Sequence, residues 1–238
     1  MKDNVVLVVG ASSGIGRAAA VGFAREGARV MASARREDRL LGLQVEMAKE
    51  GRRVEYFAAD AADAAAMEAL AAHTASTLGP IDILVFATGT NTPDRWLPRL
   101  KPALWDMMIA TNLNGAYYAT SAVLAAMRER KSGHLIYVSS ISGLVPDISG
   151  AAYQASKRGL LGLAHAVRVE EKANGIRTCV VCPGLVDTEI LEKRPVKPDA
   201  ETLAKALQPE DVADAILAVA KLHPRVAVPE MQVMPTVL

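Results

Sequence analysis

The sequence predicts a single α/β domain in which a doubly wound parallel β-sheet of about seven strands is flanked by helices on both faces. Short apolar runs alternate along the chain with longer, alanine-rich segments of helical periodicity. Runs such as ILVFA and LIYVS are apolar on both faces, as expected for strands that helices cover on either side. With 238 residues and 51% hydrophobic content, the chain can bury one large core without dividing into two domains.

The elements follow one another with little room for a linker. Strands are expected over residues 5–9, 30–33, 54–58, 83–87, 134–139 and 177–182, with a last one near 231–234. Helices are expected over residues 16–26, 36–50, 62–78, 102–129, 153–173 and 210–222. Glycines stand where helices should end, at Gly27, Gly51, Gly79, Gly133 and Gly175. The least regular stretch, residues 187–208, is a candidate substrate-binding lid because it follows the carboxyl end of a strand.

The balance of charge argues against a polyanionic partner. Lys and Arg number 27 against 26 Asp and Glu, so no basic excess is present to hold nucleic acid or an anionic membrane. We therefore expect a small-molecule partner. The first apolar run, VVLVV, is too short to span a membrane and leads into Gly-Ala-Ser-Ser-Gly rather than a cleavage-site pattern. These features favour an intracellular, cytoplasmic protein.

No metal site is predicted. Cys179 and Cys182 have CxxC spacing, but they lie in the strand-like TCVVC, where residues three apart face opposite sides. Buried structural thiols are expected there rather than a redox pair or metal ligands. The four histidines are scattered, and none forms a ligand pair at helical or hairpin spacing.

A glycine-rich loop, GASSGIG, follows the first predicted strand and opens the first helix. Glycines allow a tight turn and let the backbone approach a pyrophosphate, whose charge free N–H groups and the helix dipole stabilise. A second strand follows at the spacing of a βαβ unit, and this context predicts a dinucleotide-binding Rossmann fold. The loop residues expected to contact the cofactor are Gly10, Ser12, Ser13, Gly14, Ile15 and Gly16.

The end of the second strand indicates which dinucleotide binds. An NAD site needs an acidic residue there to accept hydrogen bonds from the ribose hydroxyls. This sequence has Ala34, followed by Arg35 and Arg36. A guanidinium can hold a 2′-phosphate in a bidentate pair, so NADP(H) is predicted. The alternative is that both arginines begin a solvated helix face.

Tyr153 and Lys157 are placed four residues apart in the segment AAYQASKRGLLGL, which otherwise reads as an apolar helix. Residues i and i+4 lie on one helix face, so both side chains should project toward the same place. A cation about 4–6 Å from a phenol favours the phenolate and lowers its pKa. The pair is therefore a candidate acid–base unit, although such spacing also arises by chance on amphipathic helices.

Three further motifs accompany the pair: the glycine loop, the serine run VSSISG just before it, and CPGLVDT just after the next strand. In this order and spacing, the sequence resembles the short-chain dehydrogenase/reductase family in its compact branch, over essentially the whole chain. The resemblance implies an oxidoreductase that acts on C=O and CH–OH groups by hydride transfer. The family's catalytic residues match Tyr153, Lys157, Ser140 and Asn112.

The resemblance also implies a role for each of these four residues. Tyr153 would protonate the carbonyl oxygen, or remove the hydroxyl proton in the reverse direction, and Ser140 would donate a hydrogen bond to that oxygen. Lys157 would lower the pKa of the tyrosine and hold the nicotinamide ribose. Asn112 would anchor a water molecule that links Lys157 to solvent.

The remaining cofactor contacts implied by the resemblance are Asp60, Ala61, Ala87, Gly89, Pro183, Gly184, Val186 and Thr188, together with Tyr153 and Lys157. Asp60 would contact the adenine, although an Asp at that point of a sequence can also cap a helix, as Asp63 can. Two positions depart from the family pattern. Val9 stands where a threonine is usual before the glycine loop, and the fourth strand ends FATG instead of NNAG. Packing is expected to replace the lost polar contacts between those strands.

The loops after the strands predict a largely apolar substrate pocket. The apolar candidates are Trp96, Leu144, Val145, Ile148, Leu185, Ile190 and Leu191. Basic residues of the same loops, which could recognise a carboxylate or simply be solvated, are Arg95, Arg99, Lys193 and Arg194.

Three functions remain open at this point. The first is an NADPH-dependent reductase of ketones or aldehydes. The second is an NADP-dependent dehydrogenase of small 3-hydroxy acids, which a basic residue pointing into the pocket would favour. The third is a catalytically silent dinucleotide-binding scaffold or sensor, which the presence of the tyrosine, lysine and serine argues against. The resemblance also implies a homodimer or homotetramer.

Overall fold

The structure, a computed structural model, describes residues 1–237 of the chain. It contains a seven-stranded parallel sheet in the order β3-β2-β1-β4-β5-β6-β7. The strands are β1 Val5–Val9, β2 Arg29–Ala34, β3 Val54–Ala58, β4 Ile83–Phe86, β5 Gly133–Val138, β6 Ile176–Pro183 and β7 Glu230–Val233. The helices are α1 Gly14–Arg25, α2 Glu37–Lys49, α3 Ala64–Leu78, α4 Pro102–Ile109, α5 Gly115–Arg130, α6 Ala151–Glu171, α7 Ala200–Lys205 and α8 Pro209–Ala220. The predicted Rossmann fold is therefore confirmed.

Helices cover both faces of the sheet because alternate strand residues enter two separate cores. Val6 and Val8 of β1 pack with apolar residues of α1, α2 and α8. Val5 and Leu7 of the same strand pack with α3, α5 and α6. Strands that are apolar on both faces are what the sequence predicts, and the two cores give the physical reason for that pattern.

Gly22 allows α1 and α8, which cover the same face of the sheet, to contact each other closely. A Cβ atom at this position would lie 2.5 Å from the Cδ1 atom of Leu217 in α8. The missing side chain therefore lets α1 and α8 pack directly against each other, which supports the glycine loop at the start of α1.

The long helix predicted over residues 102–129 is interrupted. The chain forms α4 and α5, which a π-helical turn, Ala110–Asn114, connects without a break in direction. The wide turn places Asn112 in its middle, fully buried. The other predicted helices and strands agree with the structure to within about two residues at most ends.

The sheet order reverses between β1 and β4. From β1 the chain proceeds outward to β2 and β3, and from β4 it proceeds the other way to β5, β6 and β7. In open α/β sheets, ligands bind beside the carboxyl ends of the strands at such a switch point. Within residues 1–237, no helix combines the length and the apolar character needed to cross a membrane.

Candidate active site

A cleft of about 460 Å³ opens beside the carboxyl ends of the strands. Its lining comes from the loops that follow β1, β2, β3, β4, β5 and β6. Every residue predicted to contact the cofactor lines this cleft, as do Ser140, Tyr153 and Lys157. The fourth predicted catalytic residue, Asn112, does not line it. Among the described residues, no group of three or more His, Cys, Asp or Glu side chains is arranged to hold a metal ion.

The glycine loop is packed so tightly that its glycines cannot carry side chains. Gly10 has a φ of +100°, and a Cβ atom there would lie 2.7 Å from the backbone nitrogen of Thr88. A Cβ atom at Gly16 would lie 2.2 Å from the carbonyl oxygen of Gly10. Ser13 precedes α1 without making a side-chain cap, so the first amide groups of that helix remain available to an anion. The loop thus fits the pyrophosphate of a dinucleotide.

The two departures from the family pattern are accommodated by packing and one backbone hydrogen bond. Val9 and Phe86 are opposite each other in the β1–β4 pair, and both are buried. The backbone nitrogen of Ala87 donates to the carbonyl oxygen of Val9 at 2.8 Å. The strands are therefore held together at the base of the cleft without polar side chains.

The two adjacent arginines have different surroundings. The guanidinium of Arg36 donates to the hydroxyl oxygens of Ser12 at 2.9 Å and Ser13 at 2.6 Å, directly beside the glycine loop. Arg35 is more exposed, and its nearest carboxylate is that of Asp60 at 3.7 Å. Arg36 is therefore the better placed of the two to hold a phosphate near the loop.

Asp60 and Asp63 share the turn before α3. Asp60 accepts a hydrogen bond from the backbone nitrogen of Ala62 at 3.0 Å. Asp63 caps α3 by accepting from the backbone nitrogens of Ala65 and Ala66. The cap role that the sequence leaves open for Asp60 thus belongs to Asp63, and Asp60 lines the cleft.

Lys157 lies beneath Tyr153 at the inner end of the cleft. Its Nζ atom is 5.7 Å from the centroid of the Tyr153 ring and donates to the carbonyl oxygen of Val138 at 2.9 Å. The lysine is only 3% exposed. A Cβ atom at Gly89 would come within 3.1 Å of the same Nζ atom, so the absence of a side chain there leaves room for the ammonium group.

Burial dominates the titration of both residues. It lowers the pKa of Lys157 to about 8, well below the ordinary value near 10.5. It also raises the pKa of Tyr153, against the opposing effects of the Ser140 hydroxyl and the cations Arg194 and Arg95. The groups of this chain therefore raise the pKa of Tyr153, whereas the Tyr–Lys spacing predicts that it is lowered.

Asn112 holds a loop in place. Its Oδ1 atom accepts from the backbone nitrogen of Thr90 at 2.7 Å, and its Nδ2 atom donates to the Thr90 carbonyl oxygen and to the Ser156 hydroxyl, each at 3.0 Å. These bonds connect the π turn to the loop after β4 and to α6. The structure thus shows Asn112 supporting the walls of the cleft from behind.

Ser140 begins a hydroxyl network that the sequence alone does not indicate. Its Oγ atom donates to the Ser142 hydroxyl at 3.2 Å, and Ser142 donates to the carboxylate of Asp147. Ser149 donates to the same carboxylate through its backbone nitrogen at 2.8 Å and its hydroxyl at 3.0 Å. Asp147 lies seven residues after Ser140, outside the recognised motif, so only its position after a strand could have indicated it.

The prediction of an apolar lining for the substrate pocket is only partly correct. Leu185, Ile190 and Leu191 line the cleft, whereas Trp96, Leu144, Val145 and Ile148 do not. Ile148 is 78% exposed and Trp96 is 51% exposed, because their loops turn these side chains toward solvent. The lining is more polar than predicted.

Three of the four basic loop residues line the cleft: Arg95, Lys193 and Arg194. Arg95 is only 4% exposed. Its Nε atom donates to the carbonyl oxygen of Thr92 at 3.0 Å and its Nη2 atom to that of Lys193 at 2.7 Å. Within the described part of the chain, its Nη1 atom makes no hydrogen bond.

Known proteins resemble this chain in sequence and in structure. An uncharacterised oxidoreductase of Staphylococcus saprophyticus is 34% identical over 222 residues, which cover 91% of this chain and 89% of that protein. A metagenomic short-chain oxidoreductase solved in complex with NADP is 33% identical, with a TM-score of 0.86 over 100% of this chain and 99% of that one.

A second solved structure, the closed form of serine dehydrogenase complexed with NADP+, is 31% identical with a TM-score of 0.87, over 96% of this chain and 94% of that one. The family model described as short chain dehydrogenase matches residues 4–199. The chain is thus an oxidoreductase that belongs to the short-chain dehydrogenase family.

Proposed function

We propose that the protein is an NADP(H)-dependent oxidoreductase that interconverts a ketone or aldehyde and the corresponding alcohol, with Tyr153 as the general acid and base. The observation that carries this proposal is the position of Tyr153, Lys157 and Ser140 together at the inner end of a cleft that begins at the glycine loop. When bound, a nicotinamide dinucleotide supplies or accepts the hydride.

The chain's own residues provide the proton and the electrostatic stabilisation. Because burial raises the pKa of Tyr153, its phenol is protonated at neutral pH and can donate to a carbonyl oxygen. The ammonium of Lys157, 5.7 Å from the ring, stabilises the phenolate that remains. The Ser140 hydroxyl lies near the phenol and can donate a hydrogen bond to the oxygen on which charge develops.

The preference for NADP(H) over NAD(H) rests on the arginines that follow β2. Ala34 ends this strand, so the strand itself does not place a carboxylate against the ribose as an NAD site would. Arg36 offers a guanidinium beside the hydroxyls of Ser12 and Ser13, a donor set suited to phosphate oxygens. Two NADP complexes among the similar structures favour the same choice.

A panel assay tests the proposal. Purified protein is mixed with NADPH or NADH and with apolar ketones, diketones, aldehydes or 3-oxo acids, and oxidation of the dinucleotide is followed by absorbance. We expect turnover with NADPH, and a selective rise in the KM for NADPH in Arg36→Ala. Faster turnover with NADH would contradict the NADP(H) assignment. Binding of NADPH without turnover of any carbonyl would favour the silent scaffold.

A second candidate, oxidation of small 3-hydroxy acids or reduction of 3-oxo acids, is favoured by the basic lining of the cleft. Arg95 is buried there with its Nη1 atom unengaged by the described residues, and Lys193 and Arg194 lie beside it. A buried guanidinium pairs well with a carboxylate. The similar serine dehydrogenase is named for serine, an amino acid that carries a 3-hydroxyl and a carboxylate. In the panel, a clear preference for 3-oxo acids over neutral ketones of the same size supports this candidate.

A further inference from the structure

The carboxylate of Glu189 forms ion pairs with two guanidinium groups at the cofactor end of the cleft. It begins the 3₁₀ turn Glu189–Lys193, which follows β6 within residues 187–208. Its carboxylate accepts a hydrogen bond from Arg36 at 2.7 Å and another from Arg39. These two arginines lower the pKa of Glu189 to about 2, so the carboxylate is ionised at every physiological pH.

The same Arg36 guanidinium faces the glycine loop. Its Nη2 atom donates to Ser12 and Ser13, while its Nη1 atom donates to Glu189. The donors best suited to a 2′-phosphate are therefore shared with a carboxylate of this chain. A phosphate monoester carries close to two negative charges and can accept more hydrogen bonds than a carboxylate. A phosphate arriving at Arg36 would meet repulsion from Glu189 and would compete with it.

The turn that begins at Glu189 also contacts the substrate end of the cleft. The Nζ atom of Lys193 donates to the Thr90 hydroxyl at 2.5 Å, and the carbonyl oxygen of Lys193 accepts from Arg95 at 2.7 Å. Between these ends, Leu191 is buried and lines the cleft. One short turn therefore joins the arginines beside the glycine loop to the basic residues near Tyr153.

We propose that Glu189 is a specificity-determining residue that competes with the 2′-phosphate of NADP(H) for Arg36 and Arg39, so that this phosphate releases the Glu189–Lys193 turn and NAD(H) does not. The inference rests on the proposed NADP(H) function and adds a coupling between cofactor choice and the substrate segment. Glu189 reduces the affinity for NADP(H) and holds the turn against the arginines until the phosphate replaces it.

Calorimetric binding of two adenosine nucleotides tests the competition without any turnover. Adenosine 2′,5′-bisphosphate carries the 2′-phosphate, whereas ADP lacks it. Glu189→Gln removes the charge and keeps the size, and we expect it to bind the bisphosphate roughly two- to fivefold more tightly, with ADP affinity unchanged. Glu192→Gln is the matched control, because Glu192 belongs to the same turn but pairs with the exposed Lys197.

Hydrogen exchange measures the release of the turn directly. In the protein without added nucleotide, we expect faster amide exchange over residues 187–194 in Glu189→Gln than in wild type or Glu192→Gln. In wild type, the bisphosphate should produce the same acceleration and ADP should not.

Three results would each overturn a different part of the proposal. Weaker binding of the bisphosphate by Glu189→Gln would show that Glu189 positions the arginines for phosphate, and would overturn the competition. Unchanged exchange in wild type on addition of the bisphosphate would overturn the release of the turn. If Arg36→Ala bound the bisphosphate as tightly as wild type does, the NADP(H) assignment itself would be wrong, and the competition with it.

Discussion

The Nζ atom of Lys157 lies 5.7 Å from the centroid of the Tyr153 ring and donates to the carbonyl oxygen of Val138 at 2.9 Å. The ammonium is thus held between the end of β5 and the tyrosine, in a site that excludes most solvent. Burial disfavours the charged form of Lys157, so the contribution of this residue to the free energy of unfolding depends on pH.

Lys157 should make the stability of the protein rise with pH in the alkaline range. The pKa of Lys157 is about 8 in the folded chain, against about 10.5 when unfolded, so the unfolded chain binds more protons between these values. Relative to Lys157→Met, the free energy of unfolding of wild type should rise by about 2–3 kcal/mol from pH 8 to 10.5. Urea unfolding at several pH values measures this. Parallel curves for wild type and Lys157→Met would contradict the prediction.

The glycine loop should not tolerate even one methyl group. In Gly16→Ala the new Cβ atom would lie 2.2 Å from the Gly10 carbonyl oxygen, so the backbone must shift. We expect a loss of about 2–4 kcal/mol in the free energy of unfolding and weaker dinucleotide binding. A Cβ atom at Gly42, inside α2, would have no neighbour within 4 Å, so Gly42→Ala should raise the free energy of unfolding by about 0.5–1 kcal/mol. Thermal unfolding and dinucleotide titration compare the two variants, and equal effects would show that helix propensity, not the close approach, matters at Gly16.

Removing the Asn112 side chain should damage the loop after β4. Asn112→Ala removes three hydrogen bonds. It leaves the buried backbone N–H and C=O groups of Thr90 without their side-chain partner. A loss of about 2–3 kcal/mol is expected, together with a larger fall in kcat than in dinucleotide affinity. Asn174→Ala, in the 3₁₀ turn that follows α6, should change stability by less than about 1 kcal/mol and leave kcat unchanged. A variant Asn112→Ala with wild-type stability would refute the supporting role.

Arg95 should distinguish acidic from neutral substrates. If the cleft binds a substrate carboxylate, Arg95→Met should lower kcat/KM for a 3-oxo acid by about 10- to 100-fold while a neutral ketone loses less than about threefold. The neutral ketone controls for damage to the loop, since Arg95 also donates to the carbonyl oxygens of Thr92 and Lys193. Arg99→Met, at an exposed position of the same segment, should affect neither substrate. An equal loss of kcat/KM on both substrates would show that Arg95 holds the loops in place and does not bind the substrate carboxylate.

The sheet and the glycine loop could be predicted because their patterns are local. Strands buried on both faces are continuously apolar, and the loop needs glycines at fixed spacing, as Gly10 and Gly16 show. The π turn could not be predicted, since the apolar pattern runs through residues 102–129 without a break. Nor could the pairing of Arg36 with Glu189, because these residues are 153 positions apart and only the fold brings them together.

The substrate side of the cleft was harder to predict for a different reason. Loop side chains such as Trp96 and Ile148 are apolar, but the turn of the backbone exposes them. Arg95 is charged and yet buried, because backbone carbonyl oxygens satisfy two of its nitrogens. Residue type alone does not determine which loop side chains enter a site.

The most direct test of Tyr153 as the general acid and base is the rate of NADPH oxidation by Tyr153→Phe with the best carbonyl of the panel. We predict a fall of about 100-fold or more, with NADPH affinity within about twofold of wild type, since the change removes only the proton donor. Tyr117→Phe, on the exposed side of α5, is the matched control and should retain the full rate. A Tyr153→Phe variant that keeps a rate within about threefold of wild type would contradict the assignment of Tyr153 as the general acid and base.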